Sequence, residues 1–119
     1  MTVQEYNDNV SELITALEIE EAMRPIFALK EDKGQWDELL ERGERMKRIC
    51  DHLFFELTNG SIPLTIRNRM KIVKLKRAFY PSLLRDLAKR YERKGRFQDA
   101  ETVLLEARAL GSQGADFLP

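Results

Sequence analysis

Apolar residues along this chain recur at steps of three and four from its first turn onward. Val3, Tyr6, Val10, Leu13, Ile14 and Leu17 make one continuous stripe, the pattern of an amphipathic helix. Thr2 and Glu5 stand ahead of it at capping-box spacing, where each can satisfy a free backbone N–H of the other's turn. Helical character continues through Ile19, Ala22 and Met23. Pro25 has no backbone donor, so a break is expected just before it, with a new helix starting there. Ile26, Phe27 and Leu29 carry that second segment to a turn-like stretch, Glu31-Asp32-Lys33-Gly34.

The longest stripe follows. Trp36, Leu39, Leu40, Met46, Ile49, Cys50, Leu53, Phe54 and Leu57 keep helical spacing for about six turns. Asn59-Gly60, two residues that tolerate left-handed backbone, are expected to end it. Gly43 lies inside this stripe, where it costs about 1 kcal/mol relative to alanine; a close helix crossing would account for it. Ser61-Ile62-Pro63 reads as a connector. Residues 64–80 are expected to form a helix with Ile66, Met70, Val73 and Phe79 inward and Ile72 and Leu75 widening its apolar surface, although Lys71–Lys76 can also be read as a short strand. Pro81 is expected to separate this segment from a helix running to about Lys94. Gly95 then starts a tight turn, and Phe97, Ala100, Val103, Leu104, Ala107 and Leu110 mark a last helix. The fold class is therefore all-α, with helical hairpins in one domain over residues 1–110 and a mobile tail over 111–119, which carries two glycines and a terminal proline.

The stretch 81–114 carries Leu84, Leu87, Ala88, Tyr91, Gly95, Phe97, Ala100, Leu104 and Ala107 at positions that make mechanical sense in a helix–turn–helix unit. Ala88 and Ala100 are small where two helices approach, while Leu87, Tyr91 and Leu104 fill the space around the crossing. Gly95 permits the turn, and Phe97 is expected to pack back onto the first helix. On these residues the stretch resembles one tetratricopeptide repeat, a 34-residue hairpin. It departs from that family at Ser112, where proline is usual, and at Leu84, where a large aromatic residue is common. The resemblance implies a TPR-like or irregular helical bundle and a function in protein recognition, since stacked hairpins form a groove for a segment of another protein. One hairpin cannot bury its own apolar face, so the N-terminal helices or another chain must cover it. Glu31-Asp32-Lys33-Gly34-Gln35-Trp36 echoes Glu92-Arg93-Lys94-Gly95-Arg96-Phe97, either as an old duplication or as two corners solving one steric problem.

Composition adds a second pattern. Of 119 residues, 43% are hydrophobic and 34% charged, with a net charge of zero. That neutrality hides segregation: residues 1–60 hold 14 acids against 7 bases, whereas residues 61–96 hold 12 bases against only Asp86 and Glu92. Such asymmetry can mark a surface for nucleic acid or an acidic partner, and it can equally let an acidic half pack beside a basic half. The second reading is preferred. No apolar run approaches the ~18 residues of a membrane span, and Gln4, Glu5 and Asp8 occupy the place of a signal peptide's basic and apolar stretch. The single cysteine, Cys50, cannot form an internal disulfide. A cytoplasmic protein, or one on the reducing side of a membrane, is expected.

Signals for chemistry are weak. His52 is the only histidine, and it points away from Cys50 on a helix, so no metal site or other cofactor is expected. Cys50 lies on the apolar stripe as a buried, inert thiol. Gly111-Ser112-Gln113-Gly114 follows a helix and lacks the lysine of a phosphate loop. Carboxylate pairs such as Glu20-Glu21 and Glu38-Glu41 are ordinary on solvated faces. The chain is thus read as a non-enzymatic protein-interaction module, an adaptor, chaperone-like or regulatory protein. Arg85, Lys89, Arg93 and Arg96 are the candidates for contacting an acidic protein partner. The alternative is a nucleic-acid-binding accessory protein using the basic face of residues 67–96, where Arg67, Lys71 and Lys74, Lys89 and Arg93, and Arg90 and Lys94 are helical neighbours. Self-association is compatible with either reading.

Overall fold

The structure, a computed structural model, describes the backbone of residues 1–116 and the side chains of residues 1–111. Its regular elements are all helical: α1 (Val3–Ala22), α2 (Arg24–Asp32), α3 (Trp36–Asn59), α4 (Ile66–Lys74), a π-helical turn (Leu75–Phe79), α5 (Tyr80–Arg93) and α6 (Phe97–Asp116). The expected all-α class is what the chain adopts. No strand occurs among the described residues, and Lys71–Lys76 is helical throughout.

Local chemistry accounts for the boundaries. Thr2 Oγ1 accepts from the Glu5 amide at 3.0 Å while the Glu5 carboxylate accepts from the Thr2 amide at 3.4 Å, closing the capping box. Pro25 falls in the first turn of α2, where its missing donor costs nothing. Gly34 and Gly95, at φ +73° and +75°, supply the left-handed residue of two closely similar corners. In each, the residue after the glycine donates five residues back: Gln35 N to Lys30 O at 3.0 Å and Arg96 N to Tyr91 O at 2.8 Å. The sequence echo is thus an echo of turn geometry. Gly60 differs from the expectation, because its backbone is extended (φ −65°, ψ 138°). Glycine suits the position for space: a Cβ there would lie 2.5 Å from the Glu56 carbonyl oxygen.

Pro81 does not separate two helices. Just before it the backbone widens into the π turn, with Tyr80 N donating to Leu75 O, five residues back. A proline inside an α-helix orphans a carbonyl and clashes with the preceding turn; the wider turn takes up that misfit, and the path from Ile66 to Arg93 stays helical. At the C-terminus, α6 continues through Gly111 to Asp116, so the expected tail is helical over that part, and residues 117–119 lie outside the described residues.

The core is built where four helices meet. Val10, Ile14 and Leu17 of α1, Leu40, Met46, Cys50 and Leu53 of α3, and Leu83, Leu84, Leu87 and Tyr91 of α5 are buried together, with Ala100, Val103 and Ala107 of α6 closing the hairpin. Ala88 and Ala100 are both buried at the α5–α6 packing. Gly43 sits at the α3–α5 crossing, where a Cβ would lie 2.7 Å from Leu87 Cδ2 and 2.9 Å from Arg90 Nη1. All three tyrosines tie this assembly to α3. Tyr6 donates to Glu56 at 2.6 Å and Tyr91 to Glu44 at 2.9 Å, while the Tyr80 hydroxyl lies 2.6 Å from both Asp51 and Glu106, joining α3, α5 and α6.

The register of α4 corrects the expectation. Ile66 and Met70 are 78% and 67% exposed, whereas Ile72 and Leu75 are in the core. A polar residue sets this face. Buried Asn68 donates to the Asn7 carbonyl and side-chain oxygens at 3.1 Å, and Ser11 Oγ donates to Asn68 Oδ1 at 3.0 Å. Asn7 in turn accepts from the Thr65 amide and donates to Pro63 O, both at 2.9 Å. Such a network repays burial only when its members are satisfied, so Asn68 must face α1. Residues 72 and 75 follow it inward, and 66 and 70 turn out.

Candidate partner-binding surfaces

The four residues singled out by sequence do not form one free basic patch. Arg85, Lys89 and Arg93 succeed one another at four-residue steps along α5 and share a face. Lys89 pairs with Glu31 of α2 at 2.9 Å and lies 5.9 Å from the centre of the Trp36 ring; the Arg93 guanidinium lies 5.4 Å from the same ring. Arg96, in the turn, pairs with Asp99 at 2.8 Å and with Glu44 at 3.9 Å, and covers the Tyr91 ring at 4.8 Å. Only Arg85 is exposed without an ion pair or ring contact among the described residues.

Further ion pairs lie along the α5 side. Lys94 meets Asp37 at 2.6 Å and Asp86 meets Arg24 at 3.4 Å. Arg90, read from helical spacing as part of the basic stripe, is instead 4% exposed. Its Nη1 donates to the Leu39 carbonyl at 2.8 Å, and burial, partly offset by nearby carboxylates, lowers its pKa. Arg42, paired with Glu20 at 2.6 Å, stacks over Phe27 at 5.0 Å on the neighbouring helix. The acidic half and the basic half of the chain therefore meet in part within the molecule, through surface pairs of Lys71, Lys89, Lys94 and Arg96 with acids of α1, α2 and α3.

The outer face of α4 is different. From Ser61 to Arg85 the sequence contains no Asp or Glu. Lys71 reaches Glu18 at 3.7 Å, but Arg67, Arg69 and Lys74 are exposed with no ion pair among the described residues. Between these cations lie Ile66 and Met70, one helical turn apart, with half-buried Val73 beyond them. The result is an apolar strip flanked by Arg69 on one side and Arg67 and Lys74 on the other, on a helix with a polar-pinned inner face. Beside it a cleft of about 500 Å³ runs between α1 and α4, lined by Val3, Asn7, Ser11, Arg67, Asn68 and Lys71. The acid-free run was legible in the sequence. The exposure of Ile66 and Met70 was not, because their apolar character points inward until Asn68 is known to be buried.

A second exposed apolar strip lies on α6. Phe97 is 68% and Leu105 54% exposed, so Phe97 does not pack back onto α5 as expected. Ala100, Val103 and Ala107 occupy the inward face, and Phe97 falls well to one side of their direction at 100° per residue. With Glu92, Glu101, Leu104 and Arg108 it lines a shallow groove.

Side-chain chemistry suited to catalysis is sparse at these surfaces. Cys50 is fully buried, and burial, with a smaller contribution from Asp51, pushes its thiol up to about 12; His52 is exposed on α3. Among the described residues no group of three or more His, Cys, Asp or Glu side chains could hold a metal ion, and no helix is long and apolar enough to cross a membrane. Comparison of the chain with protein-family models, with curated proteins and with solved structures finds no match.

Proposed function

We propose that this chain is a protein-interaction module, adaptor-like, regulatory or chaperone-like and without catalysis of its own, that holds an acidic partner through the outer face of α4. The observation that carries this reading is the uncompensated strip itself. Ile66 and Met70 are exposed side by side, and Arg67, Arg69 and Lys74 around them lack the acidic partners that Lys89, Lys94 and Arg96 possess. Met and Arg are enriched at protein interfaces, and a partner with an apolar spine between acidic flanks complements such a strip. Phosphates alone would gain nothing from the exposed Ile66 and Met70. The tetratricopeptide-like hairpin of α5 and α6 serves in this reading as scaffold. Arg85 extends the basic surface, while Lys89, Arg93 and Arg96 serve two ends, fastening α5 to α2 and α3 and colouring the surface positive.

The test is capture from host lysate with and without nuclease, using the parent and a variant carrying Arg67→Glu, Arg69→Glu and Lys74→Glu. These side chains are exposed, so the variant should keep its helicity. A protein retained after nuclease treatment, lost on reversal of the α4 charges and only modestly salt-sensitive is the expected result. A log affinity falling against log salt with a slope of about −0.7 to −0.9 per phosphate, and binding to any DNA or RNA offered, would instead establish nucleic-acid binding. Binding unchanged by the reversal removes α4 from both readings.

A further inference from the structure

The exposed face of α6 combines apolar side chains with a symmetric pair of opposite charges. At 100° per residue Phe97, Glu101, Leu104 and Arg108 fall within a narrow arc, with Leu105 at its edge. Phe97 and Leu105 are exposed and Leu104 half-buried. Glu101 and Arg108, seven residues apart and of opposite sign, stand equally far from a point between Leu104 and Leu105. Neither has an ion pair among the described residues. Its own chain shows what such a face looks like when covered: Trp36 follows the Gly34 turn as Phe97 follows the Gly95 turn, and Lys89 and Arg93 of α5 lie over the Trp36 ring at 5.9 and 5.4 Å. Phe97 has no such cover among the described residues and stays 68% exposed.

We infer that α6 is a self-association surface on which a second copy of this chain docks by an antiparallel, two-fold α6–α6 contact centred between Leu104 and Leu105. An antiparallel pair related by a two-fold axis at that point sets residue 101 of one copy opposite 108 of the other, and 104 opposite 105. Each Glu101 then meets an Arg108 at both ends of the contact, and the leucines meet at its centre. Closed two-fold contacts require a patch that complements itself, and this arrangement of charge does so only in the antiparallel sense. A single helix face is smaller than a standard stable interface, so the dimer is weak and concentration-dependent. It uses α6 and stands independently of partner binding at α4.

Sedimentation equilibrium on the full chain tests it. The parent should pass from monomer to dimer as concentration rises. Leu105→Glu should abolish the dimer. Glu101→Arg alone and Arg108→Glu alone each turn two attractions into two repulsions and should weaken dimerisation about tenfold. Mixing these two variants should restore it, because each then supplies the charge the other lacks; the double variant, with both charges exchanged, should also dimerise. Circular dichroism checks that all five proteins keep the parent's helicity, as expected for exposed positions. A monomer up to the order of 1 mM, assembly beyond two copies, or a dimer indifferent to Leu105→Glu and to both single charge changes each overturns the inference.

Discussion

Gly43 costs helix propensity at the middle of α3, yet any side chain there meets Leu87 and Arg90 of α5 at less than 3 Å. Gly43→Leu should therefore destabilise the chain by about 1–3 kcal/mol or more, overpacking outweighing the gain of roughly 0.8–1 kcal/mol in propensity. Urea unfolding followed by circular dichroism measures it, and unchanged stability would mean that α3 and α5 are not in close contact. The tyrosines make a second residue-scale case. Burial, followed by hydrogen bonds to carboxylates, raises Tyr6 and Tyr91 to about 12, and raises Tyr80 further still under the combined effect of Asp51 and Glu106. A phenol that holds its proton more tightly in the folded state favours folding fully below its unfolded value near 10. Between there and about pH 12 the unfolded chain sheds protons first, so stability falls as pH rises; Cys50 adds to the decline from about pH 9. Helix content and tyrosinate absorbance should change together on alkaline titration. Tyrosines ionising near pH 10 in a chain that stays helical would contradict these hydrogen bonds.

At the scale of elements, α4 shows how a single buried amide can overrule an apolar pattern. Of the expected inner stripe Phe79 is buried and Val73 half-buried, but the Asn7–Asn68 bonds turn Ile66 and Met70 outward and bring Ile72 and Leu75 into the core. Burying Ile72 and Leu75 in exchange for Ile66 and Met70 leaves the apolar contribution about even, so the cost of orphaning the amide, about 1–3 kcal/mol, decides the register. The α5–α6 hairpin follows its sequence pattern more closely. Ala100 is buried and Gln98 exposed, so Ala100→Trp should lower stability by about 1–3 kcal/mol while Gln98→Trp is tolerated. Thermal melts of the two variants compare them directly, and equal melts would place Ala100 away from a crossing. The corner glycines Gly34 and Gly95 were legible for a local reason: only the next few residues decide whether a helix stops.

For the whole molecule, the hairpin of α5 and α6 depends on α3. Leu84 and Leu87 are fully buried, Arg90 bonds to Leu39 O, and Tyr91 and Tyr80 reach Glu44 and Asp51. Residues 61–119 expressed alone should consequently show far lower helix content per residue than the full chain and no cooperative thermal transition, since an isolated hairpin cannot bury its apolar face. A sharp melt of that fragment would show the hairpin to be autonomous. The charge segregation acts at the same scale. Glu18–Lys71, Glu31–Lys89, Asp37–Lys94 and Glu44–Arg96 join the acidic and basic parts of one chain. Each such exposed pair contributes only about 0–1 kcal/mol, so they tune how α4, α5 and the turn after α5 dock more than they hold the fold.

Periodicity, caps and corner glycines by themselves determined the helices, most of their ends and the all-α class, because those features depend on contacts within a turn or two of sequence. Buried Cys50 and the small residues at Ala88 and Ala100 were legible for the same reason. Tertiary structure decided which cations find distant partners: Glu31 and Trp36, more than fifty residues away along the chain, engage Lys89 and Arg93, and Glu44 adds to the local Arg96–Asp99 pair. It also decided that Pro81 is absorbed by a π turn, and that Ile66, Met70 and Phe97 face outward. A side chain's direction is local, but whether anything stands opposite it depends on how distant helices cross, and no spacing along the chain encodes that crossing.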